Sequence, residues 1–244
     1  MLGKSQAKYI QSLGQKKVRD EEGVFVAEGP KIVAELLASS DANLLQLYAL
    51  QDWIAANRND CNGVEIIEID ENDLTKISQL ATPNTVLAVV KKQGTPDHFP
   101  TKGTISLVLD TIQDPGNLGT IIRIADWFDI KQIICGKNCA DMYNPKVVQS
   151  TMGSIVRVKM LYTNLAPWLE EQKDVFIYAA ALKGQNVTAM KKITEGVIVI
   201  GNESKGISPE IFELVDVKIT IPQKGKAESL NAAVATGIIL SHVV

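Results

Sequence analysis

From Val24 to the end of the chain, short apolar runs alternate with amphipathic stretches, the pattern of an α/β protein. In the first hundred residues, the runs Val24 to Ala27, Leu44 to Leu50, Val64 to Ile69 and Thr85 to Lys91 predict strands. The spacing between them predicts helices over Pro30 to Ala38, Asp52 to Asn57 and Glu71 to Gln79, with Pro30 in a first turn where its missing N–H is not needed. Gln93 to Gly103 breaks the periodicity with two prolines and two glycines, which is linker composition, and makes His98 a linker residue. Further strands are expected at Ile105 to Asp110, Gln132 to Cys135, Val156 to Met160, Val175 to Ala181, Val197 to Ile200 and Val217 to Ile221. Helical segments separate them: the first runs through Trp127, and the last runs from about Ser229, a suitable N-cap, to Val243. These strands are nearly continuous apolar runs, as expected when helices cover both faces of a mostly parallel sheet. The expected domains are 1–95, a small α/β unit, and 104–244, joined by a linker at 96–103.

Composition narrows the class. A chain of 244 residues that is 45% hydrophobic and 22% charged can bury ordinary cores. Its apolar runs are far shorter than the roughly 20 residues of a membrane span, and Met1 to Arg19 lacks the apolar region of a secretory signal, so a cytoplasmic location is expected. A net charge of −3 argues against indiscriminate coating of nucleic acid, where phosphate neutralisation dominates. A local basic face remains open at Lys4, Lys8, Lys16, Lys17 and Arg19, with Tyr9 and Leu13 interleaved; a solvated helical surface explains that stretch equally well. Three cysteines predict reduced thiols. Cys135 and Cys139 are spaced for a metal but have only the distant His98 and His242 for company, so two packed thiols and no metal are expected.

Three loops carry candidate chemistry. After the strand ending at Asp110, the turn Asp114-Pro115-Gly116-Asn117 opens a helix reading Asn-Leu-Gly-Thr-Ile-Ile-Arg-Ile-Ala, at the strand end where open α/β sheets bind ligands. Arg123, early in that helix, could share an anion-facing surface with the helix N-terminus, and its planar fork suits phosphate or carboxylate. An ordinary helix start, with Asn117 as cap and Arg123 solvated, accounts for the segment as well. A second strand runs into Gly201-Asn202-Glu203-Ser204-Lys205-Gly206. Ile207 and Ser208 follow where a phosphate-binding P-loop needs Lys and Ser/Thr, and no G-x-G-x-x-G occurs in the chain. In the third loop Pro222 and Gly225 force a turn, while Ser229 and Asn231 bring a hydroxyl and an amide to a helix start.

Taken in this order, NLGTIIRIA, IGNESKGI and IPQKGKAESLNAAVATGI resemble the three motifs of the SpoU/TrmH-type RNA 2′-O-ribose methyltransferases of the SPOUT superfamily. Phe25-Val26-Ala27-Glu28-Gly29 resembles the L7Ae-like substrate-binding domain that many members carry, and Asn144 to Arg157 is also similar to the family, though a helix ending at Gly153 would explain that stretch. The resemblance implies an α/β fold with a C-terminal trefoil knot that binds S-adenosylmethionine, contacted at Gly201, Ile221 and Leu230. It further implies a polar catalytic set of Asn117, Arg123, Glu203, Ser229 and Asn231, a homodimer, and RNA as substrate, ribosomal RNA ahead of transfer RNA.

A guanidinium stays protonated in proteins, so Arg123 suits an electrostatic clamp better than a base. Glu203 is left to accept a proton or orient Arg123, and Asn117, Ser229 and Asn231 to hold the ribose. Lys146, Arg157, Lys224 and Lys226 supply positive charge near the motifs. Two alternatives stand beside this expectation: a non-catalytic RNA-binding or ribosome-assembly factor of the same fold, and a nucleotide-dependent enzyme of flavodoxin-like or Rossmann type, which the missing phosphate-binding signatures disfavour.

Overall fold

The structure, a computed structural model, describes residues 2–61, 63–94 and 99–244. His98 lies outside the described residues. In chain order the first elements are α1 (Lys4–Ser12), α2 (Lys16–Glu22), β1 (Val24–Glu28), α3 (Pro30–Ala38), β2 (Leu44–Ala49), α4 (Gln51–Asn57), β3 (Glu65–Glu68), α5 (Glu71–Ile77) and β4 (Val86–Lys91). Then come β5 (Ile105–Asp110), α6 (Pro115–Trp127), β6 (Gln132–Gly136), α7 (Pro145–Thr151), β7 (Lys159–Thr163), α8 (Leu165–Glu170), β8 (Ile177–Asn186), β9 (Gly196–Gly201), α9 (Pro209–Phe212), β10 (Val217–Thr220) and α10 (Ala232–Val243). No helix among the described residues is long and apolar enough to cross a membrane.

The described residues form two compact units. One comprises those of Met1–Gly94 together with Asp141–Val156. Its sheet has the order β1-β4-β2-β3, antiparallel except for β2 beside β3. Ile10 and Leu13 from the N-terminal helix and its end pack with Val26, Tyr48, Leu74 and Val89 in one core. Asp141–Val156, which chain order alone places in the second domain, joins this unit because α7 turns Val147 and Val148 inward and packs on β1, while Tyr143 meets the Phe25 ring at 4.8 Å between centroids. The α7 helix ends at Thr151 rather than Gly153: Met152 takes the left-handed conformation at φ 52°. Gly153 follows at φ 98°, with Glu35 so close that an added Cβ would meet its Cβ at 2.5 Å.

Arg19 does not belong to the basic face. It is 1% exposed, pairs with Asp141 at 2.6 Å, and donates to the carbonyls of Leu13 and Gly14 at 2.9 and 2.8 Å. A guanidinium with five donors satisfies the carbonyls at the end of α1 and an acid at once, so it is held inward. Leu13 is buried with it, whereas Lys4, Lys8, Lys16 and Lys17 stay exposed.

The second unit comprises the described residues of Thr95–Ala140 and Arg157–Val244. Its six strands are all parallel, in the order β10-β8-β9-β5-β6-β7. Central β5 and β6 are buried along their whole length, as parallel strands covered on both faces should be. Val108, Ile134, Leu165, Leu169, Ile177 and Val199 share one core.

Several element boundaries differ from the pattern, among them β8, which runs from Ile177 to Asn186 where Val175 to Ala181 is expected. Ser154–Val156 is a 3₁₀ turn and β7 begins only at Lys159, because Ile155 and Val156 are apolar through burial rather than ladder pairing. The last helix starts at Ala232, capped by Asn231, whose side chain accepts from the N–H groups of Ala233 and Val234, so Ser229 is not its cap.

Candidate functional site

The chain leaves β5 toward β6 and β7 on one side and returns as β8 and β9 on the other, so the strand order reverses between β5 and β9. Open α/β sheets offer a crevice at the carboxyl ends of strands at such a point. Asp110 and Gly201 are the last paired residues of these two strands. Beyond them one chain turns into α6 and the other into the loop 202–208. Asp114 caps α6, its carboxylate accepting from Asn117 N at 2.8 Å with Pro115 in the first turn, so Asn117 is not the cap and its carboxamide is free to reach across.

On the other side of β9, β8 pairs only over Ile177–Ala179. It then departs from the ladder: Lys218 of β10 faces Ala179, yet Ile219 faces Gln185. Ile200 and Gly201 are left without a β8 partner, which opens the sheet next to the crevice. The excursion returns tightly at Gly184, where an added Cβ would lie 2.4 Å from the Lys218 carbonyl, and it leaves Leu182 exposed.

Three of the expected polar residues form one hydrogen-bonded network. Asn117 Nδ2 donates to Glu203 Oε1, and Ala232 N donates to the same oxygen at 3.3 Å. Asn231 Nδ2 donates to Asn117 Oδ1 at 2.8 Å, while its Oδ1 accepts from Ala233 N and Val234 N at 3.0 and 3.2 Å. Glu203 therefore sits at the start of α10, where unpaired N–H groups and the helix dipole favour a carboxylate.

The other two members of the set stand apart. Arg123 is exposed on α6 and Ser229 is exposed in the loop before α10, and neither side chain makes a hydrogen bond or ion pair among the described residues. Glu203 thus holds Asn117 and a helix start rather than orienting Arg123. Of the cations near the motifs, Arg157 is occupied by Asp126 at 2.8 Å, whereas Lys224 and Lys226 are exposed.

The stretch from Pro222 to Leu230 is exposed throughout and has no regular structure. Gln223 Nε2 pins it by donating to the carbonyls of Gly225 and Ala227 at 3.0 and 2.7 Å. From Gln223 to Leu230 no backbone N–H donates to another group among the described residues. Ile221 is half-buried and Leu230 is 44% exposed. Free backbone donors and acceptors flanked by apolar side chains suit a flat, neutral heterocycle, whose edge the main chain can hydrogen-bond.

Four further residues, none of them in the expected catalytic or cofactor set, shape this region. Asp110 is a buried carboxylate whose Oδ2 accepts from Ser208 N at 2.7 Å and whose Oδ1 accepts from Thr111 Oγ1 at 2.9 Å. Thr111 has φ 61°, and Asn202 Nδ2 donates to its carbonyl at 3.1 Å. Cys139 Sγ lies beneath the same turn, donating to Leu109 O at 3.2 Å and accepting from Ile112 N at 3.3 Å. A hydrogen bond from the Cys135 thiol, helped by backbone N–H groups, holds the Cys139 thiol below its ordinary range, and burial pushes Cys135 well above it. The one signal in sequence was an acid closing an apolar strand, since a buried carboxylate must be hydrogen-bonded.

Residues 104–241 match the SpoU rRNA Methylase family and residues 4–88 match the MRM3-like substrate binding domain. A Bacillus subtilis protein named 23S rRNA (guanosine(2553)-2′-O)-methyltransferase RlmP is 30% identical over 240 residues, covering 95% of this chain and 92% of that one. The solved structure of a TrmH-family protein from Porphyromonas gingivalis is 35% identical with a TM-score of 0.87, covering 99% of this chain and 98% of that one. An AdoMet-bound rRNA methyltransferase from Sinorhizobium meliloti is 30% identical with a TM-score of 0.85, covering 99% and 95%.

Proposed function

The chain belongs to the SpoU rRNA Methylase family, and from that membership we propose that it transfers a methyl group from S-adenosylmethionine to a ribose 2′-hydroxyl of structured RNA. The observation that carries this function is the Asn117–Glu203–Asn231 network, which ties three loops together at the carboxyl edge of a parallel sheet.

S-adenosylmethionine supplies a methyl group already activated by its sulfonium. Gly201, Ile221 and Leu230, with the free backbone of the loop between the last two, would hold it. The protein must then place the ribose in line and neutralise charge as the hydroxyl loses its proton. Arg123, unengaged and always cationic, serves as a clamp on phosphate or on the developing alkoxide. Asn117, Ser229 and Asn231 hold the ribose, and Glu203 accepts the proton or fixes Asn117.

Ribosomal RNA ranks ahead of transfer RNA as substrate: the Bacillus subtilis relative is named for 23S rRNA, and an accessory substrate-binding domain matches residues 4–88. Exposed Lys4, Lys8, Lys16 and Lys17 supply that part with cations for phosphate. Along the chain the RNA-binding part is assigned to 1–95 and the catalytic part to 104–244, with a linker at 96–103, although residues 141–156 pack with the first unit. A homodimer is supported by Trp127, 85% exposed at the end of α6, and Val234, 51% exposed on α10, because these two helices pack side by side and leave an apolar face. The return of α10 onto α6 is in keeping with the family's trefoil knot. The site of action is the cytoplasm.

Incubating the purified protein with total cellular RNA and methyl-labelled S-adenosylmethionine, followed by nuclease mapping, tests this function. Label on a ribose 2′-oxygen is expected. Label on a base would overturn the reaction type, and binding of RNA without binding of S-adenosylmethionine in calorimetry would favour a non-catalytic factor.

A further inference from the structure

We propose that Asn202 is a positioning residue for methyl transfer, tying the Glu203 loop to the turn that launches α6. This rests on the methyltransferase function proposed above.

Ladder pairing holds β5 to β9 as far as Asp110 and Gly201 and no further. Beyond that pair, one chain carries Asn117 and Arg123 and the other carries Glu203. The side chain of Asn202 bridges the gap. Its Oδ1 accepts from Ser204 N and Lys205 N at 2.9 and 3.1 Å, which leaves Nδ2 to donate to Thr111 O at 3.1 Å. The amide orientation is unambiguous, because a carbonyl can only accept and two N–H groups can only donate.

Both ends of this tether are rigid. Asn202 and Gly206 exchange backbone bonds at 3.0 and 2.8 Å, closing the loop on itself, and Gly201 lies so near Gly206 that an added Cβ would come within 2.4 Å of its carbonyl carbon. Thr111 is a β-branched residue at φ 61°, a conformation that costs about 1–3 kcal/mol and persists only where neighbours enforce it. Asp110 supplies a second link, from its carboxylate to Ser208 N and Thr111 Oγ1. Asn202 is thus the residue next to Glu203 that fixes where Glu203 stands relative to α6, and it is half-buried.

Losing the tether should leave the cofactor loop 221–230 in place and shift the groups that act on the ribose. The effect should fall on turnover, where a displacement of about 1 Å can cost about a hundredfold. Asn202→Asp keeps the size and the acceptor for the two loop amides but sets a carboxylate against the Thr111 carbonyl. Asn202→Ala removes both functions without adding charge.

For the full-length wild type and both variants, the measurements are thermal melting, S-adenosylmethionine affinity by calorimetry, and kcat and KM for labelled transfer to RNA. The expected result is a fall in kcat of at least about tenfold in both variants, with cofactor Kd and both KM values within about threefold of wild type. A kcat within about twofold of wild type in either folded variant overturns the assignment, as does a loss of cofactor affinity that matches the loss of rate. If Asn202→Asp does not fold, Asn202→Ala decides by the same criteria; if neither folds, Asn202 is structural and the assignment falls. An active wild type with unimpaired variants sinks Asn202 alone, whereas an inert wild type sinks the methyltransferase function and this assignment with it.

Discussion

Asn231 Nδ2 donates to Asn117 Oδ1 at 2.8 Å, joining the cap of α10 to the first turn of α6 across 114 positions of chain. The same carboxamide caps α10 through its oxygen, so one side chain both starts a helix and aligns it with another. These two roles separate by substitution. Asn231→Asp keeps the cap and loses the donor to Asn117, so it should lose methyl transfer with little change in melting temperature. Asn231→Ala should also lose the cap, costing about 1 kcal/mol, which corresponds to a fall of about 2–4 °C in melting temperature for a chain of this size. An alanine variant that melts with the wild type would refute the cap.

Arg123 is the exposed arginine of the first motif, and its role depends on a planar fork rather than on charge alone. Arg123→Lys should lower transfer by about a hundredfold, the scale of losing one donor to a developing oxyanion. Cofactor affinity, by calorimetry, should stay within about threefold. Near-normal turnover of the lysine variant would sink the clamp.

Stability of the first unit should hinge on Arg19 and Asp141. The pair is nearly enclosed, and Arg19 Nε is already buried without a partner. Asp141→Ala leaves a guanidinium without its counter-charge and should cost about 3–5 kcal/mol, seen as a lower urea midpoint. The double variant Arg19→Met with Asp141→Leu should recover most of that loss, because replacing both partners removes the uncompensated charge. If the double variant were as unstable as the single, the pair would not be the cause.

Thiol labelling should rank the cysteines. Cys139 is held below the ordinary thiol range by the Cys135 hydrogen bond, while burial raises Cys61 and Cys135. The thiolate is the nucleophile, so a lowered value makes Cys139 react at lower pH than the others. Limited iodoacetamide treatment of the folded protein near neutral pH, read by peptide mass, should modify Cys139 first, with a rate that levels off at a lower pH than for an ordinary thiol. Labelling led by Cys61 would contradict the arrangement.

What the chain order alone determined was local. The strands β5 and β9 are legible as short continuous apolar runs, buried on both faces, and the helices over Pro30–Ala38 and Pro115–Trp127 because burial along a helix repeats every 3.6 residues. Gly201, Asn117, Glu203 and Asn231 stand out because few residue types suit sharp turns and helix starts, and their three loops occur in a recognisable order.

Tertiary structure decided everything that pairs distant positions. Only the fold shows that Glu203 holds Asn117 instead of Arg123, that Asn231 and not Ser229 caps α10, and that Arg19 turns inward to Asp141. The same holds for Asp141–Val156, which joins the first core because α7 finds its apolar contact on β1. Periodicity records which face of an element is buried; which partner buries it, and which donor an acceptor meets, depends on chain segments that become neighbours only when the sheet forms.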